Sequence, residues 1–264
     1  MNTVTALSFG LALVALAVPR GETLVREEKT VSVDATPERW LLKWRTQPVE
    51  ACGPTDPQWF TCPCQGFAFG ETGMLDLVRR RPGHGDETLP LAPFFADEEN
   101  PGNERGVIEV VLQRWPVLRA DDTRDHSAAL TQRVHARAVT RVMQFGDYDH
   151  DGRATEFVLL VGSTPCGHDA AVVVGLSRNH PTLHAFTSVA HPERPLVLDT
   201  KLWRGLLHSR GSVNKPELRC GDHGGGEETD VQLRTSDRGI EATRRVYACT
   251  PDDRRGALKS TEAF

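Results

Sequence analysis

Apolar residues recur along this chain in short bursts, mostly at alternate positions, with Gly, Pro, Asp and Asn between them, which is the pattern of β-strands joined by turns. Thr30-Val31-Ser32-Val33 and Trp40-Leu41-Leu42-Lys43-Trp44 predict the first two strands, with both tryptophans turned into the core. Gly66 to Gly70 and Met74 to Val78 predict two more about a Glu71-Thr72-Gly73 turn, followed by a short strand at Leu89-Pro90-Leu91 and a strong one over Val107 to Trp115. Val139 to Phe145 alternates. Phe157 to Val161 and Ala170 to Leu176 are continuously apolar, as strands covered on both faces are. Leu183 to Phe186, Asp230 to Arg234 and Gly239 to Ala248 complete the strands. Helical spacing occurs twice: Ala128, Leu130 and Val134 behind an Asp125 cap, and Leu202, Trp203, Leu206 and Leu207 behind Asp199 or Thr200. The polar stretch after Thr250 predicts a loose tail. The expected fold is mainly β: antiparallel strands with one or two short helices, arranged as a sandwich or a small irregular propeller. Residues 18–137 form a β-rich part with a Cys/Pro-rich loop, 138–249 a second β-rich part, and 250–264 the tail.

One stretch carries specific chemistry: Asp147-Tyr148-Asp149-His150-Asp151-Gly152-Arg153-Ala154-Thr155-Glu156. Calcium collects six to eight oxygens, and a tight loop supplies them when carboxylates alternate along it. Asp147, Asp149 and Asp151 occupy loop positions one, three and five; Gly152 at position six permits the sharp turn. The Arg153 carbonyl falls at position seven, Thr155 at nine, and Glu156 one later; these six residues are the candidate ligand set. An EF-hand is excluded, because position twelve is Val158 instead of a bidentate Glu and the flanks read as strands. Crowded carboxylates repel one another without a counter-charge. The competing reading is an aspartate-rich turn with no ion.

A strand–loop–strand with these aspartates and the lead-in Phe145-Gly146-Asp147 resembles the calcium loop of FG-GAP (integrin-type) β-propeller repeats, over residues 138–187. The resemblance implies one blade-like unit holding one calcium ion through Asp147, Asp149, Asp151 and the Arg153 carbonyl. That family carries its acid at position nine, where this chain has Thr155. Phe69-Gly70-Glu71 echoes the lead-in without the aspartates.

Charge adds mainly exclusions. The net charge is −5, with both signs interspersed, which gives no footing for nucleic acid or an anionic membrane surface. Val4 to Val18 is an apolar run closing on Ala15-Leu16-Ala17, the pattern of a signal peptide over residues 1–17, too short for a membrane span. The expected location is therefore secreted or periplasmic, with no transmembrane segment after cleavage. Six cysteines, Cys52, Cys62, Cys64, Cys166, Cys220 and Cys249, are then expected in disulfides, Cys220 with Cys249 first because they bracket a candidate hairpin. The short pairs Cys62-Pro63-Cys64, Cys166-Gly167-His168 and Cys220-Gly221-Asp222-His223 also allow a zinc site, although their spacing fits no standard finger.

Phosphate-loop, dinucleotide, HExxH and GxSxG motifs are absent from the sequence. His150, at an even loop position, is expected to point outward. The leading expectation is an exported calcium-binding module without catalysis, engaging a protein or carbohydrate partner. A secreted hydrolase with a calcium-shaped cleft is the alternative.

Overall fold

Strand β1 (Val25–Val33) turns into β2 (Thr36–Trp44) through Asp34 and Ala35, both at positive φ (48° and 64°), the two-residue turn whose twist matches that of the strands it joins. The computed structural model describes residues 24–53, 67–95, 109–116, 127–163, 169–221 and 225–264. The apolar leader, Asp125, Cys62, Cys64, Cys166, His168 and His223 lie outside the described residues. β2 continues onto β5 (Leu75–Arg80) and β6 (Glu87–Pro90), giving a sheet of order β1-β2-β5-β6. A second sheet of three strands comprises β3 (Val49–Ala51), β4 (Gly70–Gly73) and β7 (Val110–Gln113). β8 (Glu156–Ser163), β9 (Asp169–Ser177) and β10 (His180–Ala185) form the third, in the order β10-β9-β8. β11 (Ser212–Leu218), β12 (Glu227–Ser236), β13 (Gly239–Cys249) and β14 (Arg255–Ala263) form the fourth. All named strand pairs are antiparallel, and among the described residues two short α-helices accompany them: α1 (Ala128–His135) and α2 (Thr200–His208).

β9 is the middle layer. Val172, Val174 and Leu176 join Phe157 and Leu159 of β8 in a core with Trp40, Leu42, Leu75 and Leu77 of the first sheet. Ala171 and Val173, the intervening residues, join a second core with Trp203 and Leu206 of α2 and Val231, Leu233 and Ile240 of the fourth sheet. A strand with both faces covered has no polar face to show, which is why this segment reads as an unbroken apolar run. Each large side chain so buried contributes about 1.5–3 kcal/mol. Asp199 caps α2 by accepting from the Lys201 N–H (2.7 Å), and the Trp203 indole N–H donates to the Ala171 carbonyl (3.0 Å), fastening the helix to β9.

Five expectations are corrected. Val139 to Phe145 is not a strand; only Gly146 bridges Glu156. The Glu27 carboxylate of β1 accepts from the N–H groups of Val142 (2.7 Å) and Met143 (3.3 Å), and Arg26 donates to the Thr140 carbonyl (2.9 Å). Side chains thus satisfy backbone that would otherwise seek a ladder. Glu71-Thr72-Gly73, read as a turn, is the body of β4, while Phe67 to Phe69, read as strand, forms the turn before it. Ser127 caps α1, accepting from the Leu130 N–H (3.1 Å). The tail after Thr250 is no loose end: it contains β14, an edge strand whose side chains are exposed and charged, tied to β12 by Arg255 with Glu228 and Asp230 and by Lys259 with Glu227. β11 was not anticipated at all; Pro216 and alternating charge conceal it.

Candidate metal centre

The acidic loop is held by its even positions and converges through its odd ones. Tyr148 is buried and meets the Trp203 ring edge-on at 6.4 Å. His150, with φ at 58°, places Nε2 2.8 Å from the Leu206 carbonyl near the end of α2. The expectation that His150 points outward is therefore corrected: it anchors the loop to the helix. Phe145, just before the loop, packs edge-on against Trp40 (5.3 Å) and Phe157 (5.5 Å). Gly152 turns the chain at φ 91°, as the spacing required.

With both flanks fixed, Asp147, Asp149 and Asp151 each present a carboxylate oxygen within 4.8 Å of the others; all three are half-buried. The loop's own amides satisfy part of them. Asp149 Oδ1 accepts from the Asp151 N–H (3.1 Å), Asp151 Oδ1 from the Arg153 N–H (2.8 Å) and Asp147 Oδ2 from the Gly152 N–H (3.0 Å). Arg178, at the β9–β10 turn, donates its backbone N–H to Asp151 Oδ2 (2.6 Å), and its guanidinium to the Asp151 carbonyl (2.6 Å). The Arg153 guanidinium turns away to Asp34 (3.0 Å). Asp147 Oδ1 is buried and has no hydrogen-bond partner.

Thr155 and Glu156, the last two candidates, sit fully buried beneath the loop. Glu156 accepts from the Tyr148 N–H at Oε2 (2.8 Å), and from the Thr155 N–H (3.2 Å) and hydroxyl (2.7 Å) at Oε1. The cluster of convergent oxygens comprises the three aspartates, and the Thr155–Glu156 pair braces it. Burial raises the Glu156 carboxyl to about 8; the Thr155 hydroxyl opposes this, and the Asp149 charge reinforces it. Asp149 rises to about 6, through burial first and the Asp151 charge second. Two like charges this close cost roughly 3–4 kcal/mol at the effective dielectric of a near-surface site. The loop thus concentrates negative charge, and among the described residues no side-chain cation is paired with the three carboxylates.

A cleft of about 890 Å³ opens beside the cluster, bordered by Asp149, Asp151, Arg178, His180, His184 and Arg238. The rings of His180, His184 and Phe186 stack in succession along it, at 4.1 and 4.8 Å. His184 engages the Thr182 carbonyl (2.8 Å) as His150 engages that of Leu206, so both imidazoles are bound to backbone here.

Cys220 and Cys249 are joined by a disulfide with Cα atoms 5.5 Å apart, as expected, and Cys52 is disulfide-bonded too. Cys220 is then no thiolate, which removes zinc from the Cys220/His223 pair. Among the described residues no helix is long and apolar enough to cross a membrane.

No protein-family model, no curated protein and no solved structure matches this chain. What it is must be argued from its own residues. They define a mainly β, disulfide-bonded chain with one convergent acidic loop.

Proposed function

We propose that the chain is an exported calcium-binding protein, a binding or interaction module whose loop holds one structural calcium ion. The observation that carries this reading is the convergence of Asp147, Asp149 and Asp151 within 4.8 Å, with Asp147 Oδ1 buried and unpartnered. A turn stabilised only by its own amides has no need to bury an unpaired carboxylate oxygen, which costs about 1–3 kcal/mol or more for a charged group. A hard divalent cation offsets both that cost and the mutual repulsion. The three aspartates would be its ligands together with the Arg153 carbonyl. Thr155 and Glu156 would support the loop from below. The likeness to integrin-type repeats belongs to the same proposal and rests on the aspartate spacing. The Cys220–Cys249 disulfide supports export, since such bonds persist in oxidising compartments.

Calorimetric titration with calcium, beside the Asp149→Ala/Asp151→Ala double variant, tests the reading. The expected result is one ion per chain, with affinity roughly 10⁻⁴–10⁻³ M as in extracellular modules, and no binding by the variant. A hundredfold excess over Kd then stabilises the fold by about 2.7 kcal/mol, roughly 5–10 °C in melting temperature for a chain of this size. No heat of binding, with the same melting temperature in calcium and in chelator, overturns it.

A further inference from the structure

Away from the acidic loop, a groove of about 490 Å³ is bordered by β8, which is the edge strand of the third sheet, by α2 and by residues 140–145. Three hydrophobic clusters meet along it. Val142 and Phe145 pack against the first core, Val158 and Leu207 against the second, and Leu160 against Cys52 and Phe67. All five line the groove and all five are only partly buried. The helix explains part of this. Leu202, Trp203 and Leu206 of α2 turn inward, while Thr200, Arg204, Leu207 and His208, at helical spacing, border the groove. Apolar side chains left open in a hollow gain by meeting an apolar occupant.

Charge narrows what that occupant is. Among the described residues no carboxylate lines the groove, whereas two arginines do, Arg141 and Arg204. Neither has an acidic partner among the described residues, unlike Arg26, Arg79 and Arg114. Asp169, off the wall, accepts from the Thr200 hydroxyl (2.8 Å). Burial raises the hydroxyl of Tyr148, another wall residue, above its ordinary value, and the Arg204 charge opposes this, which sets that guanidinium close to the wall. An apolar floor bordered by cations and by no acid matches a ligand with an apolar tail and an anionic head. A carboxylate head suits the forked donors of arginine. A neutral or cationic amphiphile leaves the guanidinium unanswered, and a small inorganic anion leaves the apolar floor open. The volume lies within the usual range for small-molecule sites.

We propose that this groove binds a single-chain amphiphilic carboxylate, a fatty acid by class, with its tail on Val158, Leu160 and Leu207 and its head on Arg204. The site is separate from the proposed calcium ligands and does not depend on them.

The test is calorimetry of the full chain against hexanoate, octanoate, decanoate and dodecanoate, each below its critical micelle concentration. Chelator is present throughout, so that neither the acidic loop nor calcium soaps take part. The expected result is one dodecanoate per chain, no detectable binding of acetate, and affinity rising by up to roughly tenfold for each two methylenes added. Dodecyltrimethylammonium, the same tail with the opposite charge, should bind at least about tenfold more weakly. Arg204→Gln should weaken dodecanoate by about tenfold or more, because it removes a charged hydrogen-bond donor, and should leave dodecyltrimethylammonium no weaker. Leu160→Gln should weaken both amphiphiles. Arg204 is exposed, so its substitution leaves the cores intact should the Leu160 variant fold poorly. Absence of dodecanoate binding, equal affinity for the two head charges, or dodecanoate binding unchanged in Arg204→Gln would each overturn the proposal. So would light scattering that shows the chain pairing with a second copy and losing dodecanoate as it pairs.

Discussion

Among the described residues, acids withdrawn from solvent at two places differ in what answers their charge. On the first sheet, Glu38 is almost fully buried beside an equally buried Arg79, which grips it with two hydrogen bonds (2.6 and 2.9 Å) and reaches Glu87 (3.1 Å) and the Pro181 carbonyl (2.8 Å). Glu71 of β4 has Arg26 and Arg114. In the acidic loop, Asp147, Asp149 and Asp151 have amides, the nearby arginines bond elsewhere or to backbone, and Asp149 and Glu156 are pushed upward toward their protonated forms. The chain therefore neutralises acids from within where strands bring arginine alongside. The loop is built differently: its carboxylates are gathered, and among the described residues no side-chain cation is paired with them.

The sharpest way to break that contrast is to remove an internal partner. Glu38→Ala leaves the buried Arg79 guanidinium with only Glu87 and the Pro181 carbonyl as partners and should cost about 3 kcal/mol, the lower end of the range for breaking a buried ion pair. The Trp40 indole N–H, which also donates to Glu38 (3.3 Å), loses its acceptor in the same variant. Chemical denaturation should register the full loss with or without calcium. A loss that calcium repairs would mean that the two groups are not independent.

A second prediction bears on how the loop is seated. Gly175 of β9 lies opposite Glu156, and a Cβ there would stand 2.3 Å from the Thr155 carbonyl oxygen and 2.7 Å from the Glu156 Cα, both backbone. Nothing flexible can yield. Gly175→Ala should therefore destabilise by about 1–3 kcal/mol through overpacking, and it should weaken calcium binding as well, because the displaced segment is the brace under the aspartates. A stability loss with unchanged calcium affinity would show that the cluster is insensitive to the strand beneath it.

How much of this was legible in the sequence follows from the range of the interactions. The middle hairpin was plain, since β8 and β9 bury apolar side chains in unbroken or alternating runs. The convergence of Asp147, Asp149 and Asp151 was legible too, because it depends on spacing within a few residues of one turn. β11 and β14 were not, for edge strands at the surface carry charge and proline in place of an apolar period. Nor was the fate of Val139 to Phe145, whose apparent strand is undone by Glu27, more than a hundred residues earlier in the chain. His150 and Tyr148 escaped for the same reason: their partners are on α2, and no local pattern announces them. The arginines that neutralise Glu38 and Glu71 are likewise supplied by distant strands.

The smallest expected effect sits where the two groups of acids meet. His184 lines the cleft beside Asp149 and Asp151, and it also feels Glu87, the second carboxylate of Arg79. Burial lowers its pKa below the ordinary value; the His180 ring adds to this, while the Thr182 carbonyl and Glu87 oppose it. The folded chain therefore holds His184 less protonated than the unfolded chain does. Its contribution to stability is complete above the unfolded value, about 6.5, and is lost as pH falls through that value toward the folded one. Asp149 and Glu156 act with the opposite sign in calcium-free protein, because their raised values favour folding as pH falls. Comparing the wild type with His184→Gln across pH 5 to 7.5, in chelator, cancels those acids and isolates the imidazole. The wild type should lose stability relative to the variant only toward the acidic end. A constant difference over the whole range would mean that His184 titrates alike in both states, and that the internally neutralised acids and the cleft beside the acidic loop are electrostatically separate.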